Sequence, residues 1–186
     1  MKKSAILSAT ILLLAAACSR SEATSNGIAT DDGISAIALP EEQYRDLLKR
    51  SALMGQSGPV ALFTLGLDEG CEVLDASIDE VVEENLPQWR AILIASYRKH
   101  VPAEQLADAV RMPPRDARAS LEAHLPAIAA SMKAESEPLL AKSFVEVVKS
   151  LTDAAAKVDR TNIDLAERKS ELERVKASRE ICGAKA

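Results

Sequence analysis

The chain has 186 residues with 23 Lys and Arg against 28 Asp and Glu, a formal net charge of −5. That balance excludes a nucleic-acid binder and an anionic-membrane binder, because both need clustered cations to displace counterions. Aromatic residues are confined to Tyr44, Phe63, Trp89, Tyr97 and Phe144. A core must therefore be built from Ala, Leu, Val and Ile, which suits closely packed helices better than sheets.

The chain opens with Lys2 and Lys3, an uncharged run over residues 4–14, and Ala15, Ala16, Ala17 and Cys18. A basic start, an apolar stretch of roughly 7 to 15 residues and a small-residue cleavage zone make a secretory leader, and the stretch is too short to span a bilayer. Residues 1–17 are expected to be removed. Two cleavage readings compete at Cys18: Leu14-Ala15-Ala16-Ala17-Cys18 resembles a bacterial lipobox, whose Cys receives a lipid, while Ala15-Ala16-Ala17 also satisfies the A-x-A pattern of the general signal peptidase. Cysteine arithmetic favours lipidation, since it leaves Cys71 and Cys182 as an even pair in a compartment that permits disulfides. Ser19 after the Cys would, by the same resemblance, direct the protein to the outer membrane, on the periplasmic side of the envelope. Removing residues 1–17 takes away two lysines and no acid, so the mature chain carries 21 basic and 28 acidic residues, net −7.

Residues 18–38 are small, polar and without period, and read as a lipidated N-terminus with a flexible tether of roughly 25 Å root-mean-square reach. Residues 39–186 read as one all-α domain of about six helices. Pro40, Glu41 and Glu42 make a good first turn, with Tyr44, Leu47 and Leu48 in phase until Gly55 and Gly58 stop the helix. Residues 59–67 are apolar on all sides; a buried helix is favoured over a strand because no partner strand is visible. Cys71 leads into a helix over residues 73–84, and a separate one starts at Pro87 and carries Trp89, Ile92, Leu93 and Tyr97 to Lys99 and His100. A short helix over 102–111 ends before Pro113 and Pro114. The next runs from 115 to about 132, with Pro126 a candidate kink.

The last helix is expected to be the longest. Ser136 or Glu137 is the candidate cap, Pro138 lies in the first turn, and no Gly or Pro follows until Gly183. Phe144, Leu151, Val158, Leu165 and Leu172 recur every seventh residue, giving one apolar stripe. Cys71 and Cys182, each at an element end, are expected to form a disulfide.

The stretch Tyr97-Arg98-Lys99-His100-Val101-Pro102-Ala103-Glu104-Gln105-Leu106 resembles the exported bacterial helical proteins of the domain of unknown function 2059 family. In that family a helix ends in Y-x-K-H and the next opens near E-x-L. The resemblance spans about residues 87–151 and implies export and a helical fold, with no activity attached. The family's usual F-Y-x-S-P-x-G is replaced here by Val110-Arg111-Met112-Pro113-Pro114-Arg115-Asp116.

Chemistry-bearing motifs are scarce. Gly55-Gln56-Ser57-Gly58 lacks the spacing of a nucleophile elbow. His100 and His124 are too few for a zinc centre and read as a helix-end cation and a packed helix residue. Asp79, Glu80, Glu83 and Glu84 share a helix face without the glycine-bearing loop that a calcium site uses, so they read as a solvated face. Trp89, beside Ile92 and Leu93, reads as core rather than as a ligand anchor. No catalytic set, cofactor site or metal-ligand set is expected. The sequence therefore points to a lipid-tethered envelope protein with an interaction or structural role and a protein partner. The alternative is a periplasmic small-ligand-binding protein, or a hydrolase-like enzyme using His100 or His124 with a nearby carboxylate.

Overall fold

A computed structural model describes residues 28–159, 161, 163–178 and 180–185. The leader, Cys18 and residues 19–27 of the expected tether lie outside the described residues. The fold is all-α, as the composition requires. Among the described residues eight α-helices run in order: α1 (Asp31–Ala38), α2 (Pro40–Met54), α3 (Ser57–Leu65), α4 (Leu67–His100), α5 (Ala103–Ala109), α6 (Pro114–Ser120), α7 (Leu125–Ala155) and α8 (Leu165–Ser178). A 3₁₀ turn (Glu122–His124) precedes α7, and a minimal antiparallel hairpin, β1 (Glu180–Ile181) with β2 (Ala184–Lys185), follows α8. No described helix is long and apolar enough to cross a membrane.

The two longest helices, α4 and α7, pack along each other with α2 and α3 laid across them. Tyr44 of α2 stands where three helices meet. Its ring stacks on Trp89 of α4 at a centroid distance of 4.9 Å, and its hydroxyl shares a 2.5 Å hydrogen bond with Ser143 Oγ of α7. Both side chains are buried. Around them pack Leu48, Leu74, Val82, Leu93, Val147 and Leu151, each of which adds about 1.5–3 kcal/mol by leaving water. Two further buried hydroxyls are met within their own helices: Ser77 donates to the Val73 carbonyl and Ser136 to that of Met132.

Four boundaries differ from expectation. Residues 31–38, assigned to the tether, form α1. Thr30 Oγ1 accepts from the Gly33 amide at 3.1 Å, Asp31 and Asp32 occupy the first turn, and Ile34 and Ile37 enter the core. Arg98 pairs with Asp31 at 2.6 Å and Arg90 with Asp32, holding α1 against α4.

The two helices expected over 73–84 and from Pro87 are one. Pro87 lies inside α4. Its ring removes one hydrogen bond and crowds the preceding turn, yet Val81, Val82 and Asn85 are buried before it and Trp89 and Leu93 after it. Packing on both sides overrides the local penalty, and Asn85 Nδ2 donates to the Val81 carbonyl.

The helix expected over 115–132 divides instead at the 3₁₀ turn, so Pro126 begins α7 rather than kinking an element. Proline fits a first turn, where its missing N–H has no intrahelical partner to lose. Pro138, expected in a first turn, lies inside α7, and Ser136 is an interior residue rather than a cap.

The long terminal helix ends at Ala155 and a new one starts at Leu165. Asp159 Oδ1 accepts from the Thr161 amide at 3.0 Å and from its hydroxyl at 2.7 Å. Asp164 Oδ1 accepts from the Ala166 and Glu167 amides at 2.8 and 3.1 Å, which makes it the start signal of α8. These side chains satisfy backbone groups that a continuous helix would need, and the chain breaks there. Of the seven-residue stripe, Leu151 is fully buried whereas Leu165 is 71% exposed.

The tail is nonetheless fixed to the body at two points. Gly66, at φ 95°, turns the corner between α3 and α4 in a region that side chains rarely adopt. Arg168 of α8 lies against that glycine, donates to the Leu65 carbonyl at 3.1 Å and pairs with Glu171 at 3.2 Å. The second point is the Cys71–Cys182 disulfide, with a Cα separation of 5.2 Å. Its setting differs from expectation: Cys71 lies inside the first turns of α4, and Cys182 sits in the hairpin turn at φ 49° rather than closing a helix. Lys49 Nζ donates to the Cys182 carbonyl at 2.9 Å and pairs with Asp75 at 2.6 Å.

Candidate functional site

Trp89, Leu93 and Tyr97 follow one another at four-residue spacing and therefore share a face of α4. On α7, Leu125, Ile128, Ala129, Met132, Ser136 and Leu140 fall at three- and four-residue spacings. Where these faces diverge they leave an open groove of about 480 Å³, closed at its sides by Gln43 and Leu47 of α2 and Arg118 of α6. The bends on either side of α6 place Arg118. Pro113 and Pro114 start that helix, and its last turn gives way to the 3₁₀ segment, so its cation reaches α4 near Tyr97. Burial pushes the Tyr97 phenol above its ordinary pKa, with Arg118 pulling weakly the other way.

The polarity of the groove is one-sided. Arg118 and Lys133 are its only charged lining residues, and neither pairs with a carboxylate among the described residues. Several cations elsewhere are matched: Arg45 meets Asp79 and Glu41, Arg90 meets Asp32, and Lys142 meets Glu84 at 3.1 Å. Trp89 Nε1, in the groove wall, is buried and has no acceptor among the described residues.

The residues singled out from sequence are scattered. His124 Nε2 meets Gln105 Oε1 at 2.9 Å, and Gln105 in turn donates to the Ser120 carbonyl, so Gln105 ties α5 to the end of α6 and to the 3₁₀ turn. His100 closes α4 with its Nε2 buried and without a hydrogen-bond partner. Neither histidine meets a carboxylate through a hydrogen bond, and neither lines the groove. Beside His100, Ser131 Oγ donates to Glu135 at 2.9 Å and Lys99 Nζ lies 3.4 Å from the same hydroxyl. The hydrogen bonds that the carboxyl accepts from Ser131 Oγ and, at 3.1 Å, from Lys99 Nζ hold Glu135 below its ordinary pKa. The contact between Lys99 and Glu135 is also an ion pair.

The acidic face resolves into ion pairs from Asp79 and Glu84, and no group of three or more His, Cys, Asp or Glu residues among the described ones is placed to hold a metal. Trp89 proves to be both core and wall: 2% exposed, stacked on Tyr44, and bordering the groove. The groove carries no sequence signature. Leu93, Ile128 and Met132 look like any core stripe, and Arg118 and Lys133 like any surface cation. Fold and site together define an all-helical, disulfide-bonded domain with one cation-rimmed apolar groove. No family model, curated protein or solved structure matches the chain.

Proposed function

We propose that this is an exported protein of the cell envelope, tethered by lipid at Cys18 on the periplasmic side of the outer membrane, whose helical body binds rather than catalyses. The observation that carries the binding role is the groove between α4 and α7, apolar within and edged by Arg118 and Lys133. Most ligand sites are concave, mostly apolar and equipped with a few polar groups, at volumes of roughly 300–1,000 Å³. The groove has no nucleophile beside a base: its one lining hydroxyl of the serine type, Ser136, is committed to the Met132 carbonyl at 2.6 Å. This favours the small-ligand form of the binding role over a purely structural one. The basic leader, the lipobox-like Leu14–Cys18 run and the resemblance over residues 87–151 support the address.

Fractionation and intact mass of the mature protein test the anchor. The lipidated protein should sediment with membranes and carry the added mass, and Cys18→Ser should release it. Equal fractionation and an unlipidated mass in both forms would overturn the anchoring.

A further inference from the structure

We propose that the α4–α7 groove is a binding site for a single-chain fatty carboxylate, with the hydrocarbon chain along the apolar walls and the head between Arg118 and Lys133. The inference deepens the binding role given above and rests on it. Three features support it. In a chain with more acids than bases, this groove is lined by two cations and no acid. Both cations are exposed and without an ion-pair partner among the described residues, unlike Arg45, Arg90 and Lys142. The walls between them are mostly apolar, with Gln43 and Ser136 the uncharged polar residues beside the aromatic Trp89 and Tyr97, and the volume of about 480 Å³ suits one slim chain rather than a folded peptide segment.

The small number of donors fits a monoanion. A dianionic phosphate head is ordinarily met by several arginines or a cradle of backbone amides, whereas one guanidinium suffices for bidentate contact with a carboxylate and a lysine adds a point charge. Long stems let both cations cover the chain while keeping their charged ends at the rim. The buried Trp89 N–H, lacking an acceptor, leaves the wall with an unmet donor as well as apolar surface.

Trp89 is the single tryptophan of the chain, so its fluorescence comes from the groove wall and the Tyr44 stack behind it. The full chain is produced with its own leader as Cys18→Ser, which retains the A-x-A cleavage pattern and carries no lipid to compete. It is titrated below micelle formation with laurate, dodecanol, dodecyl phosphate and dodecyltrimethylammonium. Laurate should change the emission saturably, dodecanol weakly and the ammonium amphiphile not at all. Arg118→Gln with Lys133→Gln should weaken laurate by about tenfold, the effect of losing two rim-exposed charge contacts. Ala129→Phe, filling the groove from an exposed position, should abolish the change with the helical circular dichroism intact. Equal responses to laurate and the ammonium compound would reduce the site to a nonspecific apolar dent. Tighter binding of dodecyl phosphate would overturn the carboxylate assignment, and no saturable response would overturn the site. Fractionation of the anchored protein does not depend on any of these outcomes, so the address survives or fails separately.

Discussion

Removing the Cys71–Cys182 bridge should lower the unfolding free energy by about 2–4 kcal/mol. The two cysteines are 111 residues apart in sequence, so the bond closes a loop that contains nearly all of α4 and everything to the end of α8. On the chain-entropy model a loop of that length removes about 4.8 kcal/mol of conformational freedom from the unfolded chain. Native geometry should let most of this through, because a Cα separation of 5.2 Å lies inside the ordinary 4.4–6.8 Å range and the backbone need not move to form the bond. Part of the gain is offset by contacts that persist without the bridge, above all Arg168 on the Leu65 carbonyl and Lys49 on the hairpin. The assay is urea unfolding of the Cys71→Ser, Cys182→Ser double variant against the oxidised parent, followed by circular dichroism. With a slope near 2 kcal/mol per molar, the midpoint should fall by about 1–2 M. Hydrogen exchange should show α8 and the hairpin losing protection before α4 and α7. A midpoint change equivalent to less than about 0.5 kcal/mol, with unchanged slope, would refute the reasoning, as would two freely alkylated thiols at Cys71 and Cys182 in the mature protein before reduction.

Ile34→Ala, in the helix that sequence assigns to a tether, should cost about 2–5 kcal/mol because its side chain is fully buried; thermal unfolding unchanged from the parent would show that α1 is not part of the body. Gly58→Ala should destabilise by about 1–3 kcal/mol, although the same change raises helix propensity, since the new Cβ would collide with the Ala52 carbonyl oxygen; a rise in melting temperature would contradict that close approach of α2 and α3. Burial raises both tyrosine pKa values above 10.0, so the folded state keeps its phenols protonated after the unfolded chain has ionised. The contribution is complete below pH 10 and is lost as pH climbs past it. Tyr97→Phe should therefore lose less stability between pH 9 and pH 11 than the parent, and identical losses in the two proteins would argue against a buried phenol at that position.

Much of the architecture is legible in residue spacing, and the failures have a common cause. Tyr44, Leu48, Trp89, Leu93, Ile128 and Leu151 all keep the core role their phase assigns. Punctuation was less reliable than phase. Pro87 and Pro138 lie inside helices because burial on both sides outweighs their local cost, and Gly58 lies inside α3 because two helices approach too closely there for a Cβ. Conversely, the seven-residue stripe continues through residues 156–164 while Asp159 and Asp164 spend their carboxylates on backbone amides and end one helix before starting the next. The disulfide was readable from cysteine number and compartment alone, but not its seat in a hairpin turn. The groove was not readable at all, since it exists only where α2, α4, α6 and α7 meet and its cations come from two different helices.

The binding role is tested most directly by photocrosslinking from the groove in intact cells. A benzophenone amino acid at Ala129, exposed in the groove wall, is compared with one at Asp153 on the exposed side of α7, and the mature protein is weighed intact after irradiation. A binding body predicts a discrete mass adduct from position 129, absent from position 153 and reduced by Arg118→Gln with Lys133→Gln. Adducts of equal yield at both positions, or none at either, would contradict it.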